Sequence, residues 1–128
     1  MSGLEKVQNE IQETEIALGI NPGKTKLIAV SKTKPMDQIK KVINKGQIHF
    51  GENRVQEGIT KWEDVKKDKN DLKLHLLGPL QTNKVKKVFG LFDYIHSLDR
   101  VSLAEKLSQE SIEQGYCPKL FVQVNTGK

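Results

Sequence analysis

The chain has 128 residues, of which 36% are hydrophobic, a length that builds one core and gives no reason for two. Its 21 basic residues exceed its 16 acidic ones for a formal charge of +5, yet only Arg54 and Arg100 are arginines, so bidentate readers of phosphates or base edges are scarce. The single cysteine, Cys117, excludes an internal disulfide and a cysteine metal cluster, which suits a reducing cytoplasm, and no apolar run is long enough to span a bilayer.

Residues 1–14 carry charges of both signs every few positions and lack the apolar stretch of a signal peptide, so they read as a mature start. Leu4, Val7 and Ile11 recur at helical spacing and continue towards Leu18, predicting a helix over residues 2–18 that ends at Gly19 and the breaker pair Asn21 and Pro22. An alternation follows. Residues 25–30 read as a strand, and Met36, Ile39, Val42 and Ile43 then give one face of a helix stopped by Gly46. Residues 48–50 form a short strand, followed by Val55, Ile59, Trp62 and Val65 at helical spacing. Residues 72–77 are the third strand, and Val85, Val88 and Phe89 mark the next helix. Residues 92–97 are the fourth strand, ahead of a helix through Leu103, Ala104, Leu107 and Ile112 that stops at Gly115, and residues 119–124 are the fifth.

Strand starts recur every 20 to 27 residues or so, the period of a βα unit and hence of a parallel sheet. Two α/β architectures compete for that repeat. Length favours a doubly wound open sheet, since a (β/α)₈ barrel needs roughly 200 residues or more. The absence of a glycine-rich loop after the first strand favours the barrel. So does the recurrence of polar residues directly after each strand: Lys32 and Lys34, Glu52 and Asn53, Gln81 and Asn83, Asp99 and Arg100, and Asn125. The chain finishes on a strand with no covering helix, which predicts part of a larger fold, because parallel strands are normally buried on both faces.

Phosphate-loop, dinucleotide and zinc motifs are missing, and no metal ligand set is predicted. Lys32 is the sharpest candidate. A lysine at the mouth of an apolar strand is partly desolvated, and the charge of Lys34 nearby opposes its protonation; both effects favour a neutral, nucleophilic amine. The plainer alternative is that both lysines end the strand in water. Strand alternation pairs Ala29 with Ser31 on one face and Val30 with Lys32 on the other.

The second cluster is HFGENRVQEG, residues 49–58, where Gly51 permits a sharp exit, Glu52 and Asn53 can cap a helix, and Asn53 offers a donor and an acceptor to a ligand ring. The third is LHLLGPLQTNKVKK, residues 74–87. There His75 is either a satisfied core histidine or a ring for a flat ligand, and Thr82 or Asn83 can cap the next helix. Lys84, Lys86 and Lys87 spread around that helix as a solvated face. Nucleic-acid binding would call for exposed aromatics or arginines, which are few.

Three words in register, AVSKTKP (residues 29–35), FGENRVQE (50–57) and HLLGPLQTNK (75–84), give the chain a likeness to a known family. It resembles the pyridoxal phosphate homeostasis protein family, whose fold type III barrel is related to the N-terminal domain of alanine racemase. Weaker matches follow in FDYIHSLDR (92–100) and FVQVNTGK (121–128). The resemblance implies the first five βα units of a TIM-type (β/α)₈ barrel, incomplete at the C-terminus. Residues 1–128 would then be a partial barrel domain with an N-terminal helix, five strands and four crossover helices.

It further implies pyridoxal 5′-phosphate as the cofactor, held as a Schiff base on Lys32 with Asn53 and His75 nearby, and a role in vitamin B6 homeostasis without catalytic turnover. A pyridoxal-phosphate-dependent racemase and a basic nucleic-acid-binding module are the alternatives. Members of the family are longer, and the later loops that hold the cofactor's phosphate have no counterpart here. The expected partners are the small-molecule cofactor and neither nucleic acid nor membrane. The full-length protein is expected to be a cytoplasmic monomer, and a half barrel with two open edges is expected to self-associate.

Overall fold

The computed structural model describes residues 3–21, 23, 25–31, 34–69 and 71–124. The elements run α1 (Gly3–Ala17), β1 (Ala29–Val30), α2 (Met36–Asn44), β2 (His49–Glu52), α3 (Val55–Asp68) and β3 (Lys73–Leu76). A 3₁₀ turn (Thr82–Lys84) then leads into α4 (Val85–Val88), β4 (Tyr94–Leu98), α5 (Val101–Gln114) and β5 (Lys119–Val122). Every ladder is parallel, and the strands lie in sequential order from β1 to β5. A doubly wound sheet reverses its order at a switch point. This sheet does not, so the chain is a run of consecutive βα units of a TIM-type barrel.

The two faces of the sheet have different roles. Phe50, Leu74, Leu76 and Ile95 point to the helix layer and are buried there with Ile39, Ile43, Val55, Trp62, Val85, Val88, Leu103 and Leu107. Each such side chain contributes about 1.5–3 kcal/mol by leaving water. The Trp62 and Phe50 rings sit 4.9 Å apart between centroids, fixing α3 on β2. The opposite face carries His49, Gly51, His75, Tyr94 and His96, set level or in alternation by the β2–β3–β4 register. The helices end where their sequences demand: Gly46 (φ 97°) and Gly115 (φ 79°) adopt the left-handed conformation that lets the chain turn back towards the next strand.

At three points the structure departs from expectation. The first strand was expected over residues 25–30, yet only Ala29–Val30 form it. Gln47 explains this, because its side-chain Nε2 donates to the carbonyls of Leu27 (2.6 Å) and His49 (2.8 Å) in place of ladder bonds. Neither Glu52 nor Asn53 caps α3, whose N-cap residue Arg54 is extended and without a side-chain cap bond, because Glu52 turns into the helix layer. Thr82 and Asn83 belong to the 3₁₀ turn and do not cap α4, which ends at Val88 because Phe89 is extended and Gly90 has φ 90°.

Helix α1 is tied to the segments that precede β1 and β2. Glu15, buried, accepts from the backbone N–H groups of Gly23 (3.2 Å) and Thr25 (2.8 Å), and Gln8 donates to Gln47 (3.3 Å). Among the described residues no helix is long and apolar enough to cross a membrane.

Candidate functional site

In a barrel of this type the reactive residues stand at the carboxyl ends of the strands. At the end of β1, all the polar groups of Ser31 are engaged. Its N–H donates to the Gly51 carbonyl (3.0 Å), its hydroxyl donates to the Glu52 carboxylate and lies 3.3 Å from the same carbonyl, and its own carbonyl accepts from Lys61 Nζ (2.6 Å). Glu52, fully buried, gathers three donors on Oε2: the Ser31 hydroxyl, Trp62 Nε1 (2.9 Å) and Lys61 Nζ (3.4 Å). Its other oxygen, Oε1, is buried without a hydrogen-bond partner. Lys61 also pairs with Glu57 at 3.1 Å, one helical turn away. The predicted amine, Lys32, lies outside the described residues, as does Asn125. Lys34 is exposed, and its N–H donates to the Ser31 carbonyl (3.2 Å).

A cleft of about 650 Å³ opens beyond β2 and β3, between Asn53, Arg54, Gln56, Gly78, Gln81 and Lys84. Its floor is set by backbone contact. A Cβ on Gly78 would fall 2.0 Å from the Asn53 carbonyl oxygen, so only glycine lets the loop after β3 pass that close to the loop after β2. Asp99 and Arg100, beyond β4, pair with each other at 2.7 Å, and Arg100 Nη2 also donates to the Leu80 carbonyl (2.7 Å), tying neighbouring loops together.

The inner face carries a row of three imidazoles. His49 Nδ1 lies 2.9 Å from His75 Nε2, and His75 Nδ1 lies 2.8 Å from His96 Nε2. His75 is 4% exposed and stacks on Tyr94, with centroids 4.1 Å apart and planes within 3°. His96 stacks on Phe121 at 4.6 Å. Burial, then the His96 and His49 rings, lowers His75 from the usual 6.5 to about 4. Burial, with Lys26 and Lys73 nearby, lowers His49 as well, and burial lowers His96. With His75 neutral, one of its nitrogens donates and the other accepts, so the row carries a single direction of hydrogen bonding along its length.

Asn53 and Gln81 therefore meet at the strand mouths, whereas His75 lies deeper in the row and does not line their cleft. Sequence reasoning missed Lys61 and Trp62 as partners of Glu52, and His49 and His96 as partners of His75. A carboxylate directly after an apolar strand was a signal that a buried donor must exist elsewhere. The two-residue step from Tyr94 to His96 signalled a shared face.

No family model matches the chain. It is 35% identical over 125 residues to the pyridoxal phosphate homeostasis protein of Vibrio alginolyticus, which covers 96% of this chain and 54% of that protein. The corresponding protein of Aquifex aeolicus is 38% identical over 124 residues (97% and 54%), and that of Escherichia coli K12 is 36% identical over 123 residues (95% and 53%). Among solved structures, PipY of Synechococcus elongatus with PLP bound is similar with a TM-score of 0.75 and 43% identity, over 91% of this chain and 55% of PipY. The same protein without PLP gives a TM-score of 0.78 and 45% identity over 92% and 55%. The chain spans about half the length of the curated relatives it matches.

Proposed function

We propose that this chain, a relative of the pyridoxal phosphate homeostasis proteins over about half their length, contributes the amine-bearing part of a site for pyridoxal 5′-phosphate, with Lys32 as the covalent anchor. The observation that carries this reading is Ser31, held through its N–H, hydroxyl and carbonyl at the mouth of β1, directly before Lys32 in the chain. The neighbouring cleft suits the ligand. Its volume falls within the range of roughly 300–1,000 Å³ usual for cofactor sites. Arg54 and Lys84 on its wall favour a phosphorylated molecule, and Asn53 offers both a donor and an acceptor. His75 is assigned a place below the cleft, as a neutral ring on the inner face level with Gly51.

Bound pyridoxal phosphate supplies an electrophilic carbonyl carbon and a conjugated ring. Turnover needs in addition a positioned acid or base beside the reacting carbon. Tyr94 stacks on His75 with Lys119 Nζ 5.5 Å from its ring centroid, and Tyr116 packs edge-on against Phe89. Those placements support holding the cofactor over transforming a substrate. The assigned role is accordingly a cytoplasmic, non-catalytic part in vitamin B6 homeostasis.

Borohydride reduction of the chain incubated with pyridoxal phosphate tests this. The expected result is a cofactor-sized mass on the peptide containing Lys32 and its absence in Lys32→Ala. Turnover of free amino acids by the purified chain would favour the racemase reading instead. Nucleic-acid affinity that falls steeply with salt would favour the basic module.

A further inference from the structure

We infer that Glu52 and Lys61 are positioning residues that lock the end of β1, so that the chain leaves Ser31 in a fixed direction; this rests on the reading of Lys32 as the cofactor's anchor. The lock has two arms. Glu52 Oε2 holds the Ser31 hydroxyl in the helix layer, and Lys61 Nζ, which also touches that carboxylate, holds the Ser31 carbonyl. The Ser31 N–H is committed to Gly51 on β2, so rotation about both backbone bonds of Ser31 is opposed. Its side chain is anchored on the helix side, the face that strand alternation gives to Ala29 and Ser31.

Packing alone gives little reason for this cluster. Burying a carboxylate and an ammonium group costs several kcal/mol per ion, and replacing such a pair with apolar side chains of similar volume is often neutral or stabilising. Trp62, 1% exposed and already packed at a tilt against Phe50, commits its only polar side-chain group to the same oxygen. Oε1 is meanwhile left buried without a partner, a cost that a merely cohesive network would avoid. Three donors converging on one oxygen define a direction, and that direction ends at Ser31.

The test compares the parent chain with Glu52→Gln, Lys61→Met and the milder Ser31→Ala, using two probes. Pyridoxal 5′-phosphate reports capture by the Lys32 amine through the borohydride-stable mass. Pyridoxine 5′-phosphate, which has no carbonyl carbon to capture, reports the shape of the cleft by its dissociation constant. Misplacing a reacting group by about 1 Å can cost on the order of a hundredfold in rate. Covalent capture is therefore expected to slow at least about tenfold in Glu52→Gln and Lys61→Met, and by less in Ser31→Ala. Pyridoxine 5′-phosphate affinity is expected to stay within about twofold in all three variants.

Capture at the parent rate in every variant overturns the inference while leaving Lys32 as the anchor. Parallel loss of both probes also overturns it, because the cluster would then hold the fold and not the direction of the chain. Should Glu52→Gln fail to fold, Ser31→Ala decides by the same comparison. If the parent chain itself gives no mass on the Lys32 peptide, the cofactor reading fails, and this inference fails with it.

Discussion

His75 has its ring in a place where a charge is poorly tolerated, and the consequence is a pH dependence of calculable sign. The unfolded chain takes up a proton at this position below pH 6.5, while the folded ring refuses it until pH is near 4. Stability is therefore present in full above pH 6.5 and declines as pH falls through that window, by about 3 kcal/mol for His75 alone. His49 and His96, also lowered, add to the loss with the same sign. Urea unfolding between pH 7 and about pH 4 is expected to show this decline, with a shallower slope in His75→Gln than in the parent. At this scale the sequence was only half legible. It flagged His75 and offered the core histidine as one of two readings, but a neutral histidine is satisfied by whatever partners the sheet register supplies. His49 lies 26 positions before it and His96 21 positions after.

Elements were easier to read than residues, because periodicity is a property of many side chains at once. Met36, Ile39, Val42 and Ile43 marked α2 from their spacing alone, and Gly46 and Gly115 marked two helix ends through a backbone need that few other residues meet. What spacing could not reveal was competition for backbone partners. The apolar stretch from Leu27 to Val30 looks like strand throughout, yet Gln47 takes the Leu27 carbonyl and shortens β1 to two residues. Helix α1 raises the same point. The helical spacing of Leu4, Val7 and Ile11 predicted the element, but its attachment runs through Glu15, whose carboxylate accepts from two backbone N–H groups of the loop before β1. Removing that acceptor breaks two hydrogen bonds to a buried carboxylate and frees the loop that they hold. Glu15→Ala is expected to destabilise the chain by about 1–3 kcal/mol, read as a lower urea midpoint with an unchanged slope.

For the whole molecule, the sheet leaves its two outer strands, β1 and β5, paired on one side only among the described residues. Val30 on β1 is 47% exposed, and Phe121 and Val122 on β5 are 50% and 72% exposed. The groove between α5 and β5 is likewise apolar and open, with Ile112 and Leu120 on its walls. Strand edges of this kind pair readily with one another. Sedimentation velocity at rising concentration is expected to reveal species heavier than one chain, and Val122→Lys is expected to reduce them. A single monomeric boundary at every concentration would contradict this. The architecture itself was legible from the recurrence of strand starts and from the polar residues after each strand. Barrel and open sheet were separated by strand order, a long-range property that no local pattern encodes.

That order bears on how the protein is made. Each strand hydrogen-bonds to the strand that follows it in the sequence, as Phe50 does opposite Leu74 and His75 opposite Tyr94. Within these five strands, each ladder needs only the next strand to emerge from the ribosome. The layer around Phe50, Trp62 and Leu74 can begin to close while α5 is still being translated, before Leu103 and Leu107 arrive to complete it.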